Sequence, residues 1–229
     1  TQTHFREPGS TDTEDLHSGS RAAIAGGITA VFEMPNTNPP TSNKKEFQRK
    51  LDLAKNRMYC NYAFYFGATA DNVNQLAKLK DLEGCCGIKL FAGSSTGNLL
   101  VAEEKDIDKV FENCSKVVAV HSEDEEVLNK NKKLIKNGDV HSHPIWRSEE
   151  CAMSSTRRIV RLAEKHNKKA HVLHITTKQE IDFLSQHKGN ITFEITPQHL
   201  TIYAPDCYDK LGTYAQMNPP IRDKSHYDR

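Results

Sequence analysis

The sequence predicts an α/β fold, a parallel sheet of the TIM-barrel kind, here incomplete, with about seven strand–helix units and the eighth strand missing. Three observations predict it. Short apolar runs alternate with charged amphipathic stretches, as in parallel strands joined by right-handed helical crossovers. Several of these runs end in polar residues, at the carboxyl end where such barrels build their sites. No GxGxxG follows the first run, which counts against the alternative of a doubly wound open sheet.

The first run, Thr1 to Gly9 (TQTHFREPG), reads as a strand stopped by Glu7, Pro8 and Gly9. On an extended strand Gln2, His4 and Arg6 share one face. Thr11 to Gly27 reads as a helix that Ser10, Thr11 or Asp12 caps and Gly26-Gly27 ends. Thr29 to Pro35 is a buried strand before the turn-rich Asn36 to Pro40. The alternation then repeats: helix Lys44 to Lys55, strand Tyr62 to Ala68, helix Asn72 to Leu82, strand Cys86 to Phe91. After the loop Ala92 to Gly97 come helix Glu103 to Cys114, strand Val117 to His121 and the charged helix Glu123 to Lys136. An irregular loop (Asn137 to Pro144) leads to a long helix, Arg147 to His166; strand Ala170 to Ile175, helix Lys178 to Gln186 and strand Ile191 to Ile195 follow.

Composition narrows the function classes. The chain has 229 residues, 37% of them hydrophobic, with no apolar run long enough to span a membrane. Thirty-one basic residues balance 30 acidic ones, so no strong field draws nucleic acid or anionic lipid, and a small-molecule ligand fits better. Six cysteines without a CxxC pair read as reduced residues of a cytoplasmic protein. The first residue is not Met and falls inside a strand, so residues 1–229 read as one barrel domain cut from a longer polypeptide.

Four residues at the ends of different strands carry the chemistry: His4, Lys89, His121 and His174. Each follows apolar residues, and a polar side chain so placed must be paired or must bind something. Three imidazoles and an amine at one mouth point to a metal centre. An ammonium has no lone pair, but a deprotonated lysine that adds carbon dioxide becomes a carbamate and can bridge two cations.

The motifs HFREPG (His4 to Gly9), EMPNTNP (Glu33 to Pro39), GIKLF (Gly87 to Phe91), VHSED (Val120 to Asp124), LHIT (Leu173 to Thr176) and NPPIR (Asn218 to Arg222) occur in that order. Together they resemble a dihydroorotase of the amidohydrolase superfamily, cyclic-amide hydrolases on a TIM barrel with one or two zinc ions. The resemblance implies His4 as a ligand of the first metal, Lys89 as the carbamylated bridge, and His121 and His174 as ligands of the second. It assigns Arg6 and Asn36 to the substrate carboxylate and Asn218 to the substrate pocket. Arg6 suits that task, since a planar guanidinium grips a carboxylate bidentately.

Two positions depart from the family. Its first motif is HxH, and here the earlier place is Gln2, an amide that binds zinc poorly. Its catalytic aspartate, the general base, has no counterpart before Arg229 and is expected beyond it. The implied activity is the interconversion of N-carbamoyl-L-aspartate and L-dihydroorotate in pyrimidine biosynthesis, by a cytoplasmic homodimer. The alternatives are a hydantoinase or allantoinase, whose substrates give Arg6 no carboxylate, and a metal-free scaffold that partners aspartate carbamoyltransferase.

Other residues read more simply. His141 and His143 sit in a loop with no strand to fix them as ligands. Ser94 to Gly97 lacks the lysine and spacing of a phosphate loop and reads as a turn. His199 reads as packed, and Asn129 to Lys136 as a solvated helical face.

Overall fold

A computed structural model describes residues 1–95 and 97–228. The opening stretch forms no full strand. It makes one parallel bridge, Thr3 to Glu33, with Thr3 N donating to Phe32 O at 3.0 Å and Met34 N to Thr3 O at 2.9 Å. The chain then leaves the sheet at Arg6, whose backbone is left-handed at φ 56°, so the extended segment is too short for a ladder.

Six strands follow: β1 (Ala30–Glu33), β2 (Asn61–Gly67), β3 (Cys85–Phe91), β4 (Val118–His121), β5 (Ala170–Val172) and β6 (Ile191–Phe193). They lie in chain order, and β1–β2, β2–β3 and β5–β6 pair in parallel. The count is one short of the expected seven because Thr1 to Arg6 supplies only a bridge.

The helices are α1 (Leu16–Ala25), α2 (Lys44–Ala54), α3 (Val73–Leu76), α4 (Glu104–Asn113), α5 (Glu125–Asn131), α6 (His143–Trp146), α7 (Glu149–Lys165), α8 (Lys178–Leu184), α9 (Pro197–Thr201), α10 (Asp206–Leu211) and α11 (Lys224–Tyr227). The single helices expected over 72–82 and 123–136 each finish in a short 3₁₀ turn, Ala77–Leu79 and Lys132–Leu134. The expected loop 137–144 holds a 3₁₀ turn and the start of α6. Ser94 to Gly97 includes Thr96, which lies outside the described residues.

The chain divides into two compact units. Unit 1 comprises Thr1–Leu90, Thr96–Val101 and Asp108–Ala119; unit 2 comprises Phe91–Ser95, Ala102–Ile107 and Val120–Arg229.

In unit 1 the motif HFREPG is built into its surroundings residue by residue. Phe5 is buried, and a methyl group at Gly19 of α1 would fall 2.4 Å from its ring. Glu7 accepts the otherwise free N–H of Leu16 at 2.9 Å and pairs with Arg57 at 2.7 and 3.1 Å, so it opens α1 beside the cap Asp15. Gly9 has φ +105°, and a Cβ there would meet Asn38 O at 2.5 Å, while Asn38 N donates to Pro8 O at 3.0 Å. The first two motifs are thus one packed corner. Helix α2 buries Phe47, Lys50 and Ala54, and Lys50 ion-pairs with Glu33 and donates to Met34 O at 2.8 Å. Gly87 of β3 faces Tyr65 and Val117 O, which a Cβ would meet at 2.8 and 3.0 Å.

Unit 2 packs on α7, which Ser148 caps and which buries Ile159, Val160 and Leu162 to 1% exposure or less. Burial of each contributes roughly 1.5–3 kcal/mol. The same helix buries Ser155 and Thr156, whose hydroxyls both lie 3.0 Å from Ser122 Oγ. Thr156 donates in turn to Glu180 at 2.8 Å, and Thr177, the cap of α8, donates to Glu180 at 2.9 Å. Cys207, Tyr208, Ala215 and Ile221 form a smaller core.

Candidate functional site

Unit 1 brings together His4, Arg6, Asn36 and Lys89. His4 follows the bridge residue Thr3 and has a side-chain hydrogen bond with Asn36. Burial, then the charges of Arg6 and Lys89, push the His4 imidazole down to about 3, against a smaller opposing pull from Asn36. A neutral ring keeps a lone pair, as a metal ligand must. Lys89 is 1% exposed within β3, where burying an ammonium is costly. Gln2 Oε1 is buried and meets no hydrogen-bond donor among the described residues.

Unit 2 brings together His121, His174 and two residues that sequence reasoning did not assign. His121 is the last residue of β4, and its Nδ1 lies 3.2 Å from His174 Nε2. His174 was expected within a strand; it stands two residues beyond β5, in left-handed backbone at φ 39°. Among the described residues only Arg6, Asn56, Asn167 and His174 combine a side chain with positive φ. Asparagine and histidine are found in that conformation more readily than arginine, so Arg6 is the clearer outlier. Strain of this kind gathers at functional sites.

Behind His121 stands a buried carboxylate. Glu123 Oε2 lies 2.8 Å from His121 Nε2, and Arg147 grips Glu123 with Nε at 3.1 Å from Oε1 and Nη2 at 2.6 Å from Oε2. Burial alone would raise the Glu123 pKa; the His121 contact and the Arg147 charge outweigh it and bring it to about 2. Arg147 is itself bolted in place, because Arg222 of NPPIR donates to Arg147 O and to Thr176 Oγ1. Asp124, last in VHSED, caps α5 through Glu126 N and Val127 N. The signal for Glu123 lay in VHSED, a carboxylate placed directly after an apolar strand. Arg147 and Arg222 gave no such signal.

The remaining candidates separate cleanly. Asn218 is half-buried in the segment before Pro219, and its pocket role rests on the resemblance. His143 is buried against Met217 O at 2.8 Å, and His141 pairs with Asp209 at 3.2 Å, as structural histidines do. His199, pushed down to about 4 chiefly by burial, lies between Thr196 Oγ1 and Pro219 O. Glu149, Asp223 and His226 bring ligand atoms within 4.8 Å of one another. However, His226 Nδ1 accepts from Lys178 N at 3.2 Å, so its Nε2 carries the proton and donates to Glu149 at 2.9 Å. That ring is a structural link, without a spare lone pair for a cation.

Imidazoles, one of them backed by a carboxylate, are donors that suit zinc: within unit 2 His121 and His174 fit this, within unit 1 the neutral ring of His4 does, and Gln2 fits it poorly. No protein-family model matches the chain. Among curated proteins, the dihydroorotase of Methanosarcina mazei is 33% identical over 96% of this chain and 50% of its own length. That of Pyrococcus furiosus is 30% identical over 96% of this chain and 47% of its own. The chain spans about half the length of the curated relatives it matches. Among solved structures, the L-hydantoinase (dihydropyrimidinase) of Arthrobacter aurescens superposes with a TM-score of 0.86 at 25% identity, over 93% of this chain and 49% of that one. No helix among the described residues is long and apolar enough to cross a membrane. In sequence the chain is a homologue of the dihydroorotases, and it shares its fold with the hydantoinases of the amidohydrolase superfamily.

Proposed function

We propose that this chain belongs to a zinc-dependent dihydroorotase, interconverting N-carbamoyl-L-aspartate and L-dihydroorotate. The observation that carries the reading is the similarity to dihydroorotases along 96% of the chain. Arg6 favours this substrate over a hydantoin, since dihydroorotate bears a carboxylate that a planar guanidinium can hold in two parallel hydrogen bonds.

Lys89 as a carbamate, His121 and His174 would hold one zinc, and His4 would turn its lone pair to a second. The resemblance, rather than a distance, joins Lys89 to the histidine pair. A metal so held supplies Lewis acidity to the amide carbonyl and acidity to a bound water. The chain's own residues do the rest. Arg6 fixes the carboxylate, Asn36 both steadies His4 and faces the same task, and Asn218 lines the substrate. Burial keeps His4 unprotonated at neutral pH.

A second reading, a metal-poor scaffold that partners aspartate carbamoyltransferase, is favoured by one feature: Gln2 stands where a first imidazole is expected. Elemental analysis, with dihydroorotate and hydantoin hydrolysis before and after chelation, separates the two. About one zinc per chain with chelator-sensitive turnover of dihydroorotate supports the enzyme; no metal and no turnover with zinc and bicarbonate supplied supports the scaffold. Arg6→Ala is expected to raise KM for dihydroorotate. An unchanged KM would remove Arg6 from the substrate.

A further inference from the structure

We infer that Glu123, clamped by Arg147, is a positioning residue that selects the zinc-binding tautomer of His121. The inference rests on the proposed metal role of His121 and His174. It stands on three contacts within unit 2.

A carboxylate forked by a guanidinium is ionised and can only accept hydrogen bonds. Glu123 has that fork, with Arg147 Nε and Nη2 at 3.1 and 2.6 Å. His121 Nε2, 2.8 Å away, must therefore donate and carries the ring proton. The other nitrogen, Nδ1, is left with its lone pair pointing at His174 Nε2, 3.2 Å distant. In the metal-free protein His174 Nε2 donates into that lone pair; for both nitrogens to face a cation, His174 would carry its single ring proton on Nδ1 instead.

The clamp is buried and held by further contacts. Glu123 and Arg147 are 0% and 3% exposed. Arg147 Nη2 also reaches Ser94 O, and a Cβ at Gly93 would meet Glu123 O at 2.4 Å. The loop 93–94 thus holds the Arg147 guanidinium and lies against the Glu123 backbone. A partner of this kind typically tunes metal affinity by 10–100-fold.

The test uses the intact protein and two readouts that do not depend on turnover. Imidazole ¹⁵N NMR of the metal-free protein should show His121 protonated at Nε2. Zinc competition titration should show affinity lowered about 10–100-fold in Glu123→Gln, whose amide lacks the charge and can turn either group to the ring. Should that variant unfold, Glu123→Gln combined with Arg147→Met leaves no buried charge unpaired and serves in its place. Protonation at Nδ1 in the wild-type protein, or unchanged zinc affinity in a folded variant, overturns the inference and leaves the metal reading standing. A wild-type protein that keeps the Nε2 tautomer yet binds no zinc overturns the metal reading, and the positioning role with it.

Discussion

Glu33 in unit 1 and Glu123 in unit 2 are both fully buried beside a basic side chain, and the two carboxylates are driven in opposite directions. In unit 1, burial pushes Glu33 up to about 7, and the Lys50 charge only partly offsets it. In unit 2, Glu123 is as deeply buried yet falls to about 2. The difference is in the partners. Lys50 is a point charge that burial also pulls down and that divides its donors between Glu33 and Met34 O. Glu123 instead accepts from His121, and the planar fork of Arg147 grips both its oxygens. Glu180 marks the limit of hydroxyl donors: despite Thr156 and Thr177 its carboxyl is raised, chiefly by burial. Depth sets the penalty, and the His121 contact together with a forked cation reverses it.

The largest effect should come from removing each cation. Arg147→Met leaves an ionised Glu123 buried without its partner and should cost about 3–5 kcal/mol in urea unfolding at pH 7. Lys50→Met leaves a carboxyl that already sits near neutrality and can take up a proton, so about 1–3 kcal/mol is expected, mostly for lost hydrogen bonds. Equal losses would break the comparison.

The pH dependence separates the two glutamates more finely. Glu33 has a folded pKa above its ordinary 4.5, so its contribution to stability is full below about 4.5 and falls as pH rises toward 7. Glu123 is lowered, so its contribution is full above about 4.5 and is lost as pH falls toward 2. Glu33→Gln should therefore flatten the stability curve between pH 4.5 and 7, by at most about 1.4 kcal/mol per pH unit. Glu123→Gln should flatten it only below 4.5. Unfolding midpoints across pH read both slopes, and a Glu33→Gln curve parallel to wild type above pH 4.5 would contradict the raised value.

These contrasts were only partly legible in the sequence. The strand–helix alternation came through because period and punctuation are local, and His121 and His174, each after an apolar run, do lie side by side. The opening strand failed for a reason no propensity reports, the left-handed turn at Arg6. Glu123 was visible as a carboxylate beside a buried histidine, yet nothing in IWRSEE marks Arg147 among 31 basic residues as its partner. That pairing joins positions 24 apart and depends on Arg222 holding the Arg147 backbone from 75 residues further on. Long-range anchors of buried charge are set by packing, which leaves no periodic trace.

The smallest effect tests whether hydroxyl anchors in unit 2 add to a cap. Asn43 opens α2 by accepting Glu46 N at 2.9 Å on an exposed surface. Thr177 opens α8 by accepting Glu180 N at 3.2 Å and also donates to the buried Glu180 carboxyl at 2.9 Å. Asn43→Ala should cost about 1 kcal/mol, the ordinary worth of a cap. Thr177→Ala should cost about 2 kcal/mol, because a buried acceptor then loses one of its donors. Thermal or urea unfolding of the two variants resolves a gap of that size. A gap near zero would mean that Thr156 and the Thr176 N–H satisfy Glu180 without the Thr177 hydroxyl.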